Sequence, residues 1–513
     1  MNKFKIYMSA LLIATLIFSV IYNSPTAFAD NNVIVEIDGQ RVNFPDQQPI
    51  IVNDRTLVPV RGVFERLGYT VGWEQAKKTV SLSNWISNVL IVIGESKFIT
   101  NDKVYNLDVP AQIIKGRTML PLRAILESVG CTLEWDSSRS VVLIHSNLPK
   151  IVDNSTLKYF PPIFNQGTVG ACAEVGMGYY TLTYMTARAR NIDVKALGER
   201  AIYSPGFWHG TNIGGLIPLR AGLVTLDKWP WDEDALNAPP RPAPPELWRE
   251  AIQNRADNIL IIGVFRDEAD RESLPWAKEQ LGDRYIFAMG EDIEAFHTLL
   301  KTYLADEYVF AMSTQISGWI PHKISDNPYS TLDDTEIGKQ IFTYDPSLCF
   351  GDGHVITLVG YNDDIWLDRN NNGIIDEGEL GAYKFANSWG TEWGNDGFMW
   401  LSYADASLPM WGKIETYIVN KERHIPLLLA ELELESPGFY FLGELGWAPH
   451  NSPDRITFLE SDTIGHLLFS GGCTIIADFS SIISENNLDL DKAKYDWYLR
   501  LNLILPLTTT RRY

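Results

Sequence analysis

Three segments of the chain carry side chains whose combination could perform nucleophilic chemistry. The first is Cys172, which follows a glycine-containing turn and opens an apolar, helix-like segment that runs to about Arg188. A thiol at a helix N-terminus has its thiolate stabilised by the helix dipole and by unpaired amide N–H groups, which lowers the thiol pKa. A single cysteine is weak support for catalysis, because buried, inert cysteines are common. The segment therefore predicts a nucleophile only in combination with a base.

Two later segments supply that base and a group to orient it. His354 opens an apolar, β-like run that is bounded by glycines, so its ring can project from a strand end into a cleft. Taken alone, it is more typical of a structural histidine. Asn387 ends a second strand-like segment and is followed by a Trp/Gly-rich loop and another strand. Thiol, imidazole and amide are the side chains of a thioester-forming triad.

In this order the three segments resemble the papain-like cysteine peptidases, over roughly residues 155–425. The resemblance implies an α+β fold in which a two-lobed catalytic domain has a helical lobe and a β-barrel-like lobe. It implies Cys172 as nucleophile, His354 as its base and later proton donor, and Asn387 as the group that holds the imidazole tautomer. It further implies Gln166 as a side-chain donor to the oxyanion hole, Trp389 as a cover over the histidine–asparagine contact, and Gly214 and Gly215 as the glycines that receive substrate backbone.

The chain departs from the family pattern at several points. Around the nucleophile it reads Val-Gly-Ala-Cys-Ala (169–173), which lacks both the first cysteine and the final aromatic residue of the papain pattern. Asn387 follows Cys172 by 215 residues, against a usual 130 to 150, so insertions are expected around 232–271 and between His354 and Asn387. No helical inhibitory prosegment precedes the domain.

The insertion before Asn387 matches a twelve-residue calcium loop over 368–379. It has oxygen ligands at positions 1, 3, 5, 9 and 12, glycine at position 6 and an apolar residue at position 8. Because the flanking segments are typical of strands, we expect a single loop at a hairpin tip that binds a structural Ca²⁺; the alternative is an acidic surface turn. The expected ligands are Asp368, Asn370, Asn372, the carbonyl of Ile374, Asp376 and Glu379.

Before these segments lies an internal repeat. The stretch 53–61 recurs 62 residues later as 115–123, and Gly68 and Trp73 match Gly130 and Trp135. Residues 32–147 resemble the copper amine oxidase N-terminal-like module of secreted bacterial proteins, through their Arg-Thr-x-x-Pro-x-Arg and Gly-x-x-x-x-Trp motifs. No copper is expected, since the only histidine before residue 200 is His145. The resemblance implies a stalk that is either a plain spacer or a binder of cell-wall polymer.

Net charge and the first 29 residues indicate which partners are disfavoured and where the protein is expected to be located. The 513 residues carry a formal charge of -21, which disfavours nucleic acid and anionic membranes as partners. Residues 1–29 have the order of a secretory signal, with a basic end, a short apolar run and small residues at the cleavage position. No stretch is long enough to span a membrane. We therefore expect a secreted protein, with Cys131, Cys349 and Cys473 as free or buried thiols.

Residues 426–513 alternate short β-like runs with Gly, Pro, Asn and Asp, which predicts a small C-terminal β-rich module. For the whole chain the first hypothesis is a secreted, calcium-stabilised cysteine endopeptidase that acts on protein or peptide substrates. A second is an acyl transferase or transpeptidase that uses the same triad. A third is a surface-binding protein whose catalytic domain is degenerate.

Overall fold

The computed structural model describes residues 33–53, 55–84, 87–208, 218–219, 221–236, 243–264, 284–290, 293–406, 414–427, 429–434, 440–449, 457–460, 473–478, 480, 483 and 495–504. The predicted signal sequence, residues 1–29, lies outside these ranges. The chain divides into two compact units, Met1–Asn147 and Leu148–Tyr513. Within the described ranges, every helix is too short or too polar to cross a membrane.

The described residues of the first unit form short strands in three sheets, with two short helices. The strands are β1 (Ile34–Ile37), β2 (Gln40–Arg41), β3 (Ile50–Val52), β4 (Arg55–Pro59), β5 (Thr70–Glu74), β6 (Thr79–Ser83), β7 (Asn88–Val92), β8 (Lys97–Thr100), β9 (Lys103–Asn106), β10 (Gln112–Ile114), β11 (Arg117–Pro121), β12 (Thr132–Asp136) and β13 (Val141–His145). The helices are α1 (Val60–Phe64) and α2 (Leu122–Ser128). The sheet orders are β12-β13-β1-β2, β10-β11-β4-β3 and β5-β6-β7-β8-β9.

The two sequence repeats of this unit pair with each other. Their Arg-Thr-x-x-Pro segments form β4 and β11, which are antiparallel neighbours with Val58 opposite Leu120. Each strand leads directly into a helix whose inner face is buried, through Val63 and Phe64 in α1 and Ile125 and Leu126 in α2. The helices and sheets enclose one shared core of apolar side chains. Each repeat thus buries a face that it cannot bury alone.

The second unit contains a ten-stranded sheet. The strands of this sheet are β14 (Ile151–Asp153), β15 (Asn258–Val264), β16 (Tyr285–Gly290), β17 (Phe310–Gln315), β18 (Trp319–Lys323), β19 (Gln340–Tyr344), β20 (Gly353–Trp366), β21 (Leu380–Ala386), β22 (Phe398–Ser402) and β23 (Ile414–Ile418). Their order is β16-β15-β23-β17-β20-β21-β22-β19-β18, with β14 paired to β20.

The described helices of the second unit are a π-helical segment Glu174–Leu182, α3 (Thr183–Arg190), α4 (Val194–Leu197), α5 (Glu233–Leu236), α6 (Pro245–Ala251), α7 (Ile293–Ala305) and α8 (Tyr403–Ala406). Short 3₁₀ turns join them at Asn154–Thr156, Gly198–Arg200, Pro205–Trp208, Ile252–Asn254, Ile316–Gly318 and Pro346–Leu348.

The centre of this sheet is the long hairpin of β20 and β21. Nearly every residue of β20 is buried, since it has neighbouring strands on both sides and the π-helical segment packs on its face. The mixed helix and strand content agrees with the predicted α+β class, and the division into a helical and a barrel-like lobe stays a prediction. The sheet begins at Ile151, because residues 151–153, just before the predicted catalytic domain, form β14 and pair with β20.

The described part of residues 426–513 contains five strands within the second unit. They are β24 (Leu429–Leu434), β25 (Tyr440–Pro449), β26 (Thr457–Glu460), β27 (Cys473–Asp478) and β28 (Tyr495–Ile504). They form two small antiparallel sheets, β24-β27 and β26-β25-β28. No strand of these two sheets pairs with the ten-stranded sheet in the part of the chain that the structure describes.

Candidate active site

Cys172 lies in the first turn of a long helix. This helix continues as Glu174–Leu182 in π-helical form and then as α3. The N–H of Val175 donates to the carbonyl of Ala171 (3.0 Å), which closes the first turn around the cysteine. π-Helical turns are rare and are often found at functional sites. The predicted placement of Cys172 at a helix N-terminus therefore agrees with the structure.

The thiol lies beside the start of β20. The backbone N–H groups of Val355 and Ala173 point toward its sulfur, and Val355 directly follows His354. Burial nevertheless raises the pKa of the Cys172 thiol, because desolvation outweighs these N–H donors. The sequence predicts the opposite direction from the helix dipole alone. The raised pKa favours the neutral thiol over the thiolate.

The hydrogen bonds around His354 identify which of its ring nitrogens carries the hydrogen. Nε2 of His354 lies 2.8 Å from Oδ1 of Asn387. That oxygen also accepts a bond from the N–H of Ser388 (2.7 Å), so it is an acceptor, and Nε2 must carry the hydrogen. In a neutral imidazole the other nitrogen, Nδ1, then has the free lone pair. This geometry is compatible with the predicted role of Asn387, which stays a prediction.

Asn387 is held from several sides. It is fully buried and follows β21, whose Ala386 pairs with Thr357 of β20, close to His354. The hydroxyl of Tyr180 donates to the Asn387 carbonyl (2.8 Å), and the Asn387 N–H donates to the Gly397 carbonyl (2.9 Å). Its Nδ2 has no partner among the described residues, although it is buried. A buried, unpaired amide costs about 1–3 kcal/mol and is tolerated where position matters more than stability.

Aromatic rings cover the histidine. Trp389 stacks on His354 with ring centroids 4.7 Å apart and an angle of 26°, as the sequence predicts. Trp319, which sequence reasoning did not select, approaches the edge of His354 at 6.0 Å and also contacts Trp389. This burial lowers the pKa of His354, and the hydrogen bond to Asn387 opposes the change only in part. His354 is therefore neutral, and able to accept a proton, at neutral pH.

Gln166 is held in place by hydrogen bonds to Val169 and Ser388. Its Nε2 donates to the carbonyl of Val169 (2.8 Å), and its Oε1 accepts a bond from the Ser388 hydroxyl. The backbone N–H of Gln166 also donates to the Ser388 carbonyl (2.9 Å). Because Nε2 carries two hydrogens, one remains for a substrate oxygen. Ser388 thus links the glutamine to Asn387, a connection that no sequence pattern indicates.

The four predicted catalytic side chains accordingly lie on elements that meet in the second unit: Cys172, His354, Asn387 and Gln166. The predicted substrate glycines, Gly214 and Gly215, lie outside the described residues. Sequence reasoning missed Tyr180 and Trp319 because neither belongs to a short motif. Tyr180 is one of several aromatic residues on its helix, and its hydroxyl joins the Asn387 carbonyl to the Phe164 N–H (2.8 Å).

The predicted calcium loop connects β20 to β21 at a hairpin tip, as expected. The carboxylate of Asp368 accepts N–H bonds from Asn372 (3.1 Å) and Gly373 (2.9 Å), and Gly373 adopts the left-handed φ of 72° that the turn requires. The amides of Asn370 and Asn372 both donate to Asp376 (2.7 and 2.8 Å). The loop therefore has an ordered turn, closed by its own side chains.

The last loop residue, Glu379, is the only one of the six expected calcium ligands that is buried. Its carboxylate accepts bonds from the Trp366 indole (3.0 Å), the Arg369 N–H (2.9 Å) and the Asp376 N–H (3.1 Å). Across the described ranges, no three His, Cys, Asp or Glu side chains are gathered closely enough to hold a metal. A cation here would depend on the amide oxygens of Asn370 and Asn372 and on a carbonyl as well. Such uncharged oxygens are acceptable ligands for Ca²⁺.

Comparison with known proteins matches the first unit to a family. Residues 36–144 match the model of the copper amine oxidase N-terminal domain. The resemblance seen in the repeat is thereby confirmed for this part of the chain. No curated protein matches the chain.

Solved structures that the chain resembles include several cysteine proteases. The proform of the ragweed pollen allergen Amb a 11 is 15% identical over 53% of this chain and 67% of its own, with a TM-score of 0.32. Xylellain from Xylella fastidiosa is 15% identical over 53% and 87%, with a TM-score of 0.31. Digestive procathepsin L2 from Tenebrio molitor is 13% identical over 53% and 68%, with a TM-score of 0.31.

Proposed function

We propose that this chain is a secreted, papain-like cysteine endopeptidase that hydrolyses peptide bonds through a thioester on Cys172. One observation carries the proposal: the Asn387 oxygen, fixed by the Ser388 N–H, binds Nε2 of His354 and leaves Nδ1 as a base. His354 directly precedes Val355, whose backbone N–H interacts with the Cys172 sulfur. The order of the three sequence segments supports the same conclusion, as does the fixed orientation of Gln166.

The reaction proceeds in two balanced halves. His354 Nδ1 takes the thiol proton while the sulfur bonds to the substrate carbonyl carbon, whose oxygen becomes an oxyanion held by Gln166 Nε2–H and the Cys172 N–H. When the C–N bond breaks, His354 returns its proton to the leaving amine, and an acyl thioester remains. His354 then takes a proton from water, whose oxygen attacks the thioester. The C–S bond breaks, the acid leaves, and the thiol is restored.

Product mass tests this proposal against acyl transfer. The mature protein is incubated under reducing conditions with a mixture of peptides, with and without a large excess of an amine such as glycinamide. We expect products that have gained one water per cleaved bond, including cuts at internal bonds. Products that carry the amine in place of water, as the main species at modest amine concentration, would instead identify a transpeptidase.

The loop 368–379 is proposed to bind a structural calcium ion that orders the hairpin between His354 and Asn387. All its expected ligands are oxygen donors on one turn, which fits the chemistry of that ion. With Ca²⁺ at tenfold its dissociation constant, the free energy of unfolding should rise by about 1.4 kcal/mol. Glu379→Gln should lose this calcium-dependent gain, measured as the difference in melting temperature with and without Ca²⁺. Glu377→Gln, at an exposed position of the same loop that the motif does not use, is the matched control.

The first unit is proposed to bind cell-wall polymer. The supporting observation is a cavity of about 760 Å³ in that unit, lined by buried Leu107 and Leu122, by charged Arg123 and Glu127, and by the half-exposed indole of Trp135. An exposed indole beside charged groups offers a stacking face and hydrogen bonds to a sugar ring. Trp135→Ala should release the protein from insoluble wall material in a sedimentation assay. Trp73→Ala changes the matching residue of the other repeat, which does not line the cavity, and should leave retention unchanged.

A further inference from the structure

The turn that carries Gln166 is tied to a segment from a distant part of the chain. Oε1 of Glu233 accepts two hydrogen bonds from Thr168, one from its backbone N–H and one from its hydroxyl, each 2.7 Å long. Glu233 begins α5, at the edge of the region where the sequence predicts an insertion. These bonds join residues 65 positions apart in the chain. They fix the exposed side of the turn that leads to Cys172.

The same segment makes a second contact on the other side of Gln166. The ring of Trp231 packs edge-on against Phe164, with centroids 5.1 Å apart. The Glu233 carboxylate also lies directly over Gly167, where a Cβ atom would collide with it. Gly167 additionally adopts a φ of 61°, so the position needs glycine for its backbone as well. Phe164, Gly167 and Thr168 thus bracket Gln166, and all three contact residues 231–233.

A short path of bonds connects Glu233 to the Gln166 amide. Thr168 is followed by Val169, whose carbonyl accepts the bond from Gln166 Nε2 (2.8 Å). The Val169 N–H in turn donates to the Gln166 carbonyl (3.3 Å). Movement of Thr168 therefore displaces the acceptor that sets the direction of the Gln166 side chain. Oxyanion donors act only when they already point at the position where the charge develops.

We propose that Glu233 is a positioning residue that holds the turn 166–169, and so keeps the Gln166 donor aimed at the substrate oxyanion. The inference rests on the proposed peptidase function. Its action is geometric, because the groups that shift the Cys172 pKa include Glu174 and neighbouring N–H groups but not Glu233. The two Thr168 bonds keep the pKa of the Glu233 carboxyl below its usual value, so the anchor stays ionised across the neutral range.

Two probes separate this role from general damage to the site. The Cys172 sulfur adds to the carbonyl carbon of a peptide aldehyde while the thiol proton passes to His354, and the product is a hemithioacetal. Its oxygen occupies the place of the substrate oxyanion, so aldehyde affinity depends on the oxyanion donors. Iodoacetamide alkylates the same sulfur, displacing iodide, and forms no oxyanion.

For Glu233→Ala we expect aldehyde affinity and kcat to fall about tenfold, with the rate of alkylation and its pH profile unchanged. Glu233→Gln keeps an acceptor oxygen and should lose less than about threefold. Asp234→Ala removes the same charge from the next, exposed residue and should have no effect.

The outcomes are distinguishable. Equal aldehyde affinity in Glu233→Ala and wild type overturns the inference and leaves the peptidase proposal standing, as does a parallel loss of both probe reactions. A wild-type protein in which Cys172 reacts with neither probe overturns the proposed function and this inference with it. If Glu233→Ala does not fold, Thr168→Val removes one of the two bonds and should weaken aldehyde binding with unchanged alkylation. No selective loss in that variant contradicts the inference.

Discussion

Replacing Cys172 with alanine is expected to reduce peptide turnover by at least about 10⁴-fold, because the atom that forms the thioester is gone. The remaining rate would come from binding and from the Gln166 donor alone. Turnover is measured as kcat on a peptide cut by the wild type, with mass-spectrometric mapping of iodoacetamide labelling in parallel. Labelling of the wild type should be confined to Cys172 when the reagent is limiting.

Two other free thiols among the described side chains provide matched controls. Cys131 is buried in the first unit, and burial raises its pKa to about 12, so it should be inert. Cys349 is half-buried and lies 3.0 Å from the hydroxyl of Tyr344. Cys131→Ser and Cys349→Ser should each keep wild-type turnover. If Cys172→Ala is folded by its melting curve and still turns over substrate at the wild-type rate, the assignment of the nucleophile is wrong.

Replacing His354 with alanine should have the next largest effect, and its size should depend on pH. Burial raises the pKa of the Cys172 thiol above its ordinary 9, so without a base about 1% or less is thiolate at pH 7. We expect turnover to fall about 10³-fold or more and alkylation about 100-fold at pH 7. As the pH rises toward 10, alkylation in His354→Ala should approach the wild-type rate, since hydroxide then removes the thiol proton.

The wild-type pH profile has its own expected shape. The pKa of His354 lies below its ordinary 6.5, so the imidazole becomes protonated, and stops acting as a base, only below that pH. Turnover should therefore hold through neutral pH and decline on the acidic side of 6.5. His322→Ala, which removes a histidine bonded to Thr343 in the neighbouring strand pair, is the control and should keep this profile. A wild-type alkylation rate that follows a single thiol titration above pH 9 would contradict a working Cys–His pair.

The parts of the site that could be predicted are those written in short, contiguous motifs. The segment after β21 contains Asn387, Ser388 and Trp389 in sequence, so one stretch of chain delivers the tautomer-fixing oxygen, its supporting N–H and the covering ring. The position of the loop 368–379 at a hairpin tip could likewise be predicted, because a short turn-rich segment between two strand-like segments connects neighbouring strands. In the first unit the repeat itself indicated that β4 and β11 would occupy equivalent places.

The contacts that could not be predicted all join residues far apart in the chain. Tyr180 reaches Asn387 across 207 positions, and Glu233 reaches Thr168 across 65, and neither partner carries a local pattern. The direction in which the Cys172 pKa is shifted also could not be predicted from the sequence. Its sign depends on a competition between burial and nearby N–H groups, and burial is a property of the folded chain alone.

The pairing of β14 with β20 sets where the chain can be divided. Val152 lies opposite Tyr361. The residue before Tyr361 is Gly360, and a Cβ atom there would collide with the Val152 carbonyl, so the pairing requires glycine at this position. A maturation cut, or an engineered start, at Leu148 leaves this strand in place. A start at Asn154 would strip the strand from the middle of the sheet and expose the hydrogen-bonding edge of β20 at 360–362, six residues beyond His354. The border between the two units thus limits truncation, because a second unit separated from residues 1–147 must retain Ile151–Asp153 to keep its sheet complete.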